Sequence, residues 1–323
     1  MSQESAPHNA NEKVRFVEIT DDNVGQRVDN FLITALKGAP RSLVYRILRK
    51  GEVRVNKKRV KPEYRLQIND LVRIPPVRLA EKAPQAKVAP KLVEQLEQAV
   101  LYEDNDLIVV NKPSGLAVHG GSGISLGLIE SFRQMRPQSK FLELVHRLDR
   151  DTSGCILLAK KRSALKLMHD SLKKSTITKI YHALVVGSWS ERQRRIDAPL
   201  RKNELKSGER MVKVAADGKA SLTEYKVLQR FGRRATLVEA RPITGRTHQI
   251  RVHCQFAGHP IIGDEKYGLD DVNMEMRSRG VKRLFLHAAE LRFPLPSGGR
   301  KIVVAPLEMP LQKAIKNLTN KRG

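Results

Sequence analysis

The amino-acid sequence predicts an α+β protein in which a small N-terminal module precedes a larger domain built on a mixed, mostly antiparallel sheet. Three observations predict this class. The first part of the chain combines two helical patterns with short strand patterns, and a proline-containing linker at 77–90 follows it. The later part, residues 91–323, has more strand runs than helices, and the two do not alternate as a parallel α/β sheet requires. A chain of 323 residues is long enough for two domains.

The N-terminal part has a polar start and a helical module. Residues 1–13 are rich in Ser, Asn, Glu and Pro, so we expect them to be disordered. Within the module at 25–76, apolar residues at helical spacing predict a first helix over 28–36. A second helix is expected to follow Ser42 and to end at Gly51.

Strand patterns and positive charge complete this module. Val53 and Val55 lead into a predicted turn at Asn56 and Lys57, and a further short strand is expected over 71–74. Residues 37–73 contain twelve Lys or Arg against three Asp or Glu. Such a dense cluster of one sign is typical of a surface that contacts phosphates rather than of an ordinary solvated face.

The larger domain shows eight strand patterns and four helical patterns. Strands are predicted at residues 99–102, 107–110, 156–159, 177–186, 222–228, 236–239, 285–292 and 302–304. Helices are predicted at residues 126–135, 163–172, 247–256 and 311–318.

Composition and charge narrow the class of partner. The formal net charge of +26 predicts that a polyanion, above all a nucleic acid, binds the chain. No apolar run approaches the ~20 residues that cross a bilayer, so we expect no membrane partner and a cytoplasmic monomer. Cys155 and Cys254 lie far apart without a CxxC companion, and we expect both to be reduced and buried.

One carboxylate is the leading candidate for chemistry. Residues 146–154 have the sequence HRLDRDTSG, which places Asp149 just before the apolar run 155–159. A short apolar run entered through Thr-Ser-Gly predicts a buried strand after a turn, so Asp149 should lie at a strand end that opens on a cleft. Taken alone, the pattern is also typical of a solvated acid that pairs with Arg147 or Arg150.

Six segments in the same order resemble the pseudouridine synthases that modify large-subunit ribosomal RNA. They are NKPSGLAVHGG (111–121), HRLDRDTSG (146–154), KIYHALVVG (179–187), DAPL (197–200), GRTHQIRVH (245–253) and LHAAEL (286–291). The N-terminal module resembles the S4 RNA-binding domain through RVDNFL (27–32), Ser42 and GEVRVN (51–56). The resemblance implies a pseudouridine synthase fold, isomerisation of uridines in 23S ribosomal RNA or its assembly intermediates, and no cofactor.

The resemblance also implies a set of catalytic residues. Asp149 is expected to be the nucleophile, which attacks C1′ of the target nucleotide or removes its C2′ proton. Arg246 is expected to begin the helix at 247–256 and to pair with Asp149, favouring the ionised carboxylate. Tyr181 is expected to stack on the uracil and to take the C5 proton, and Leu286 is expected to lie under the base.

RNA contacts are expected in both parts of the chain. Arg147 should fill the gap that the extruded nucleotide leaves in its stack, and Arg251 should contact a phosphate. The remaining predicted RNA-binding residues lie in the N-terminal module and are Arg41, Arg46, Arg49, Lys50, Arg54, Lys57 and Lys58.

Two other classes of function compete with this interpretation. A noncatalytic S4-type RNA-binding assembly factor would carry the same charge, and a nuclease could use Asp149 and Asp151 with a metal ion. The joint presence of Asp149, Tyr181 and Arg246 favours the synthase. The spacing of His248 and His253 matches no strong metal motif, and we expect no metal site.

Overall fold

The computed structural model describes residues 13–21, 23–36, 38–77, 87–120, 126–204 and 210–320. Its contacts divide the chain into two compact units, Met1–Gln85 and Ala86–Gly323. Residues 1–12 and 78–86 lie outside the described residues, so the disorder expected at 1–13 and the linker expected at 77–90 stay predictions. Among the described residues, no helix has the length and apolar character that crossing a membrane requires.

Within its described residues, the smaller unit contains two helices and a three-stranded antiparallel sheet. Its elements are β1 (Arg15–Glu18), α1 (Val28–Ala35), α2 (Arg41–Lys50), β2 (Arg54–Val55) and β3 (Leu71–Ile74), and the strand order is β1-β3-β2. The predicted turn is confirmed, because Asn56 and Lys57 have φ angles of 49° and 68°, which tight hairpin turns require. Strand β1 was not predicted, since only two of its four residues are apolar.

Helix α2 separates the core of this unit from its basic surface. Val44, Ile47 and Leu48 are buried in a cluster that also contains residues of α1 and β3. Gly51 ends the helix in the left-handed conformation with φ of 71°, as predicted for a glycine at this position. The predicted RNA-binding residues of the helix are all exposed, namely Arg41, Arg46, Arg49 and Lys50.

The larger unit contains twelve described strands and six described helices. The strands are β4 (Val100–Glu103), β5 (Leu107–Lys112), β6 (Glu143–Leu144), β7 (Ser153–Ala159), β8 (Thr178–Val186), β9 (Arg195–Asp197), β10 (Leu200–Glu204), β11 (Arg210–Val214), β12 (Leu222–Phe231), β13 (Ala235–Pro242), β14 (Leu286–Pro294) and β15 (Arg300–Val304). The helices are α3 (Pro90–Gln98), α4 (Leu128–Met135), α5 (Arg162–Lys173), α6 (Gln249–Phe256), α7 (Asp270–Ser278) and α8 (Met309–Asn320).

Ten of these strands form one sheet. Its main order is β4-β5-β7-β14-β8-β13-β12-β9, with β15 paired to β14 and β6 paired to β7. Within the described residues only β7 and β14 run parallel, and the other paired strands run antiparallel. The mixed, mostly antiparallel α+β class that the sequence predicts is therefore confirmed.

The parallel pair marks the point where the loop with Asp149 enters the sheet. All seven residues of β7 are buried, as a strand covered on both faces should be. Its first two residues, Ser153 and Gly154, pair with His287 and Ala288 of β14. From Glu290 onward, β14 pairs with β15 instead of β7. The loop before β7 therefore lies at one end of the central strands.

The elements that the sequence did not predict are short or polar. Strands β10 and β11 form a separate hairpin with the sequences LRKNE and RMVKV, in which charged residues obscure the strand pattern. The hairpin nevertheless has its own apolar contacts, because Leu200 and Val212 pack with Val252 and Tyr267 in a small buried cluster. Strands β6 and β9 have only two and three residues.

Gly154 lies where β7 and β14 approach most closely, and we expect that only glycine fits there. It has φ of +105°, and an added Cβ would lie 2.3 Å from the carbonyl oxygen of Ala288. Gly154→Ala should therefore lower the free energy of unfolding by about 2 to 5 kcal/mol, because backbone strain and overpacking add. Urea unfolding followed by circular dichroism measures this change.

Gly232→Ala is the matched control for this substitution. Gly232 has φ of +62° but no atom within 4 Å of an added Cβ, so only the backbone cost of about 1 kcal/mol applies. Equal destabilisation by the two substitutions would show that the close approach of β7 and β14 does not constrain Gly154.

Candidate active site

A cavity of about 920 Å³ lies at the end of the sheet where β7 begins. Asp149, Tyr181 and Leu286 all line it, although they are far apart in the sequence. The three arginines predicted for the site also line this cavity, namely Arg147, Arg246 and Arg251. A cavity of this size is within the ~300–1,000 Å³ typical of ligand sites.

A buried lysine fixes the main chain of the loop that carries Asp149. Lys112 is fully buried, and its Nζ donates hydrogen bonds of 2.9 Å to the carbonyl oxygens of Pro113, Leu116 and Arg150. Burial lowers the pKa of Lys112 to about 7. Because three carbonyls accept from one ammonium group, the main chain next to Asp149 is fixed relative to strand β5.

Asp149 forms an ion pair with Arg251. Arg251 Nη1 donates to Asp149 Oδ2 at 3.2 Å, and the Asp149 side chain is 29% exposed. On its other side Arg251 donates two hydrogen bonds to the fully buried Asp264, from Nε at 2.7 Å and from Nη2 at 2.8 Å. The guanidinium carbon also lies 5.0 Å from the ring centre of Tyr267. These contacts fix the orientation of Arg251 with Nη1 toward Asp149.

Arg251 and its two carboxylate neighbours stabilise one another in their charged forms. Burial opposes the charge of Arg251, but the hydrogen bonds and charge of Asp264, with a smaller contribution from Asp149, raise the pKa of Arg251 overall. Burial likewise opposes ionisation of Asp264, but Arg251 lowers the pKa of Asp264 overall. Arg251 is therefore a permanent cation next to Asp149.

The expected pairing of Arg246 with Asp149 is wrong. Arg246 is an exposed residue on the same cavity, and its Nε donates to the carbonyl oxygen of Ala220 at 3.2 Å. Within the described residues no ion pair joins Arg246 to Asp149, whereas Arg251, predicted as a phosphate contact, has that position. Both arginines belong to the GRTHQIRVH segment (245–253), so the segment was identified correctly and the residue was not.

The main chain before helix α6 explains this difference. The predicted helix began at residue 247, but α6 begins at Gln249, and His248 before it has a left-handed backbone with φ of 52°. The buried Gln249 accepts hydrogen bonds from the main-chain N–H of Arg246 and from the hydroxyl of Thr244. This loop directs Arg246 away from the carboxylate, while Arg251, two residues into the helix, faces it.

His248 is a second neighbour of Asp149. Its Nε2 lies 3.8 Å from Asp149 Oδ2, and its Nδ1 lies 2.8 Å from the hydroxyl oxygen of Tyr267. Burial lowers the pKa of His248, although the charge of Asp149 acts in the opposite direction. The ring is therefore a neutral imidazole between a tyrosine and a carboxylate at neutral pH.

Tyr181 and Leu286 form an apolar side of the cavity. The residues directly opposite Tyr181 on its two neighbouring strands are Ala240 and Ala288, so small side chains flank the ring. Leu286 pairs with Ala183 and lies on the same sheet face as Tyr181. Burial, followed by the charge of Asp149, raises the pKa of Tyr181. Among the described residues nothing is hydrogen-bonded to the Tyr181 hydroxyl.

Three further side chains complete the site. Arg147 is exposed at the cavity, and it has no ion-pair partner within the described part of the chain. The neighbouring His146 Nε2 accepts a hydrogen bond from the main-chain N–H of Leu157 at 3.2 Å, and burial lowers the pKa of His146 to about 3. Lys179 lines the cavity beside Tyr181, and burial lowers its pKa.

Residues 38–77 contain the other predicted RNA-binding side chains. Arg41, Arg46, Arg49 and Lys50 lie on α2, Arg54 lies on β2, and Lys57 and Lys58 follow in the turn. All are exposed except Arg54, which is partly buried and donates to the carbonyl oxygen of Lys57 at 3.2 Å. The predicted RNA-binding residues therefore lie close together in the sequence, and within this unit nearly all of them are accessible to solvent.

Sequence reasoning missed four residues of the site: Lys179, His248, Asp264 and Tyr267. Asp264 had the same signal that identified Asp149, because it is an acid next to a buried apolar stretch, here Ile261 and Ile262. Tyr267 had no such signal. Neither at this site nor in the other described residues does a group of three His, Cys, Asp or Glu side chains have an arrangement that could hold a metal ion.

Comparison with known sequences agrees with this geometry. Residues 106–256 match the profile of the RNA pseudouridylate synthase family, and residues 26–72 match the profile of the S4 domain. The first match includes Asp149, Tyr181, Arg246 and Arg251, and the second includes helix α2.

Individual relatives cover nearly the whole chain. The chain is 53% identical to ribosomal large subunit pseudouridine synthase C of Pasteurella multocida (strain Pm70), over 100% of this chain and 99% of the relative. It is 54% identical to the protein of the same name from Escherichia coli (strain K12), over 96% of this chain and 98% of the relative.

Solved structures give the same result for the fold. Human RNA pseudouridylate synthase domain containing 4 has a TM-score of 0.59 and 25% identity, and the match covers 71% of this chain and 96% of that one. Human RNA pseudouridylate synthase domain containing 1 has a TM-score of 0.55 and 28% identity, with 72% and 98% covered. The chain thus belongs to the RNA pseudouridylate synthase family and is an RNA pseudouridine synthase with an S4 domain at its N-terminal end.

Proposed function

We propose that this protein isomerises uridines of large-subunit (23S) ribosomal RNA to pseudouridine, with Asp149 as the nucleophile. The observation that carries the proposal is the 3.2 Å pair between Asp149 and Arg251, in one cavity with Tyr181 and Leu286. The names of relatives that match almost the full chain support the substrate class. A noncatalytic assembly factor is not favoured, because those relatives are named as synthases.

The reaction needs a carboxylate and no redox chemistry. The N1–C1′ bond breaks, the uracil rotates, the C5–C1′ bond forms, and the proton on C5 moves to N1 through the site or solvent. Asp149 either attacks C1′ and forms an acylal, or removes the C2′ proton and leaves a glycal. Both routes start from the ionised carboxylate, for which Arg251 supplies a fixed positive charge.

Tyr181 and Leu286 are suited to hold the base while it rotates. A uracil between the Tyr181 ring and an apolar side chain keeps its stacking contacts without a fixed set of hydrogen bonds. The Tyr181 hydroxyl, free of partners among the described residues, can reach the C5 proton directly or through a water molecule. Its raised pKa means that the phenol is neutral when the base enters, so the hydroxyl oxygen takes the C5 proton only as its own proton passes to water or to N1.

The arginines at the cavity have separate roles in RNA binding. The reactive C1′ atom is inaccessible in a stacked helix, so the nucleotide must be extruded at a cost of a few kcal/mol. We expect Arg147 to occupy the vacated position, because it is exposed and has no ion-pair partner among the described residues. Arg246 takes the role of phosphate contact that was expected of Arg251, because it is exposed at the cavity rim.

The basic S4 unit adds affinity that depends on charge. Its exposed arginines and lysines suit the phosphates of folded ribosomal RNA or of an assembling large subunit. We also infer that the protein acts in the cytoplasm, because ribosomal RNA is the proposed substrate, and a monomer stays our expectation.

Asp149→Asn should abolish pseudouridine formation and leave RNA affinity unchanged within about twofold. The amide cannot act as nucleophile or base, while the Arg251–Asp264 pair that holds the fold stays intact. Carbodiimide and primer extension on ribosomal RNA treated with each variant measure the product. Asp151→Asn is the matched control, since Asp151 pairs with Arg150 at the surface and should keep its activity. Product formed by Asp149→Asn would exclude the nucleophile.

Arg251→Lys should lower the reaction rate and the stability, whereas Arg246→Lys should change only the RNA affinity. Lysine cannot reproduce the forked contacts to Asp264 and Asp149, so Arg251→Lys should lose at least about tenfold in single-turnover rate and about 3 kcal/mol in stability. Arg246→Lys should change RNA affinity but not the rate at saturation or the free energy of unfolding. The reverse result in single-turnover assays would restore Arg246 as the partner of Asp149.

Replacement of Arg46, Arg49 and Lys50 by Gln should weaken RNA binding in proportion to the phosphates released. Each lost phosphate contact should reduce the slope of log affinity against log salt by about 0.7 to 0.9. The rate at saturating protein should not change. Lys226, Lys313 and Lys316, replaced together by Gln, remove the same charge from exposed positions outside the S4 unit, and an equal loss of slope there would contradict the S4 role.

A further inference from the structure

The Tyr267 hydroxyl determines which nitrogen of His248 carries the proton. Tyr267 is 2% exposed, and its hydroxyl oxygen accepts a hydrogen bond of 3.0 Å from the main-chain N–H of Val212. The remaining neighbour of this hydroxyl among the described residues is His248 Nδ1 at 2.8 Å. If Nδ1 carried the proton, the buried O–H would have no acceptor. The hydroxyl therefore donates to Nδ1, and the neutral ring carries its proton on Nε2.

The protonated nitrogen faces the candidate nucleophile. Nε2 lies 3.8 Å from Asp149 Oδ2, the same oxygen that accepts from Arg251 Nη1. This distance exceeds a hydrogen bond by less than 1 Å, so a small rotation of either side chain would bring the two atoms within hydrogen-bond distance. The charged groups around the ring are Asp149, Arg251, Lys266 and Asp264, and Asp149 is the one that Nε2 faces.

The backbone of His248 supports a positional role. Its left-handed conformation, φ of 52° and ψ of 20°, places the ring over Asp149 immediately before α6 begins. Such a conformation is uncommon for a residue other than glycine and is strained. Helix α6 itself does not need histidine here, because no side-chain hydrogen bond caps its start.

We propose that His248 is a positioning residue whose Nε2–H, selected by the Tyr267 hydroxyl, orients Asp149 Oδ2 during the reaction. The contact then leaves Oδ1 free to face C1′ or the C2′ hydrogen. Val212 belongs to the β10–β11 hairpin, so this hairpin, through Tyr267 and His248, takes part in setting the geometry of the nucleophile. The proposal rests on the proposed function of Asp149.

Two substitutions of His248 separate the hydrogen bond from backbone strain. The side-chain amide of Gln can present an N–H near the position of Nε2 and has no tautomer, whereas the amide of Asn is one methylene shorter. Asn suits a left-handed backbone better than Gln. If Nε2–H matters, His248→Gln should be several-fold faster than His248→Asn in single-turnover conversion; if only backbone strain matters, the order should be reversed.

Tyr267→Phe tests whether the hydroxyl acts through the histidine. It should slow conversion by about three- to tenfold, the effect of one hydrogen bond, and leave RNA affinity unchanged. In the His248→Gln background the same change should have no further effect on the rate, because glutamine has no tautomer to select. Thermal unfolding of all variants shows which are folded at the assay temperature, and if Tyr267→Phe is not, the comparison of Gln with Asn decides alone.

The outcomes distinguish this inference from the proposed function. Equal rates for His248→Gln and His248→Asn, or equal slowing by Tyr267→Phe in both backgrounds, would overturn the role of His248 while the wild-type protein still makes pseudouridine. Absence of product with the wild-type protein on large-subunit RNA would overturn the proposed function itself.

Discussion

The buried contact between Arg251 and Asp264 is the interaction on which the site depends. Two hydrogen bonds of 2.7 and 2.8 Å fix the guanidinium against a fully buried carboxylate. A buried ion pair adds little to the free energy of unfolding, but removal of one partner is strongly destabilising because it leaves an unpaired buried charge. Here it holds a cation whose Nη1 donates to Asp149, so the orientation of the proposed nucleophile depends on Asp264, a residue that does not line the cavity.

The fold brings helix α6, which carries Arg251, and the loop that carries Asp149 to the same cavity at one end of the sheet. Strand β14 pairs with β7 over two residues and then with β15, and the loop before β7 emerges beside the start of β14. Lys112 fixes that loop from β5, and Gln249 fixes the loop before α6. Hydrogen bonds within the protein therefore fix both loops that line the cavity, so RNA binding is not required to order these loops.

The sequence predicted the class of fold, most strands and the segments of the site, because apolar periodicity and local motifs are properties of adjacent residues. It did not predict which arginine of GRTHQIRVH faces Asp149. That choice depends on where α6 begins, and the helix starts at Gln249 because of contacts from Gln249 to Thr244 and Arg246. Tyr267 was missed for a similar reason: its importance comes from Val212 and His248, which are distant in the chain.

Asp149 and Asp264 both balance the positive charge of Arg251. In either form of the proposed reaction Asp149 would lose its negative charge, since it would become an ester or a carboxylic acid. A guanidinium with a single partner would then be buried without a counter-ion. Because Arg251 donates two hydrogen bonds to Asp264 and lowers its pKa, Asp264 would remain the counter-ion of Arg251 while the proposed nucleophile is neutral, and the original carboxylate could be regenerated in place.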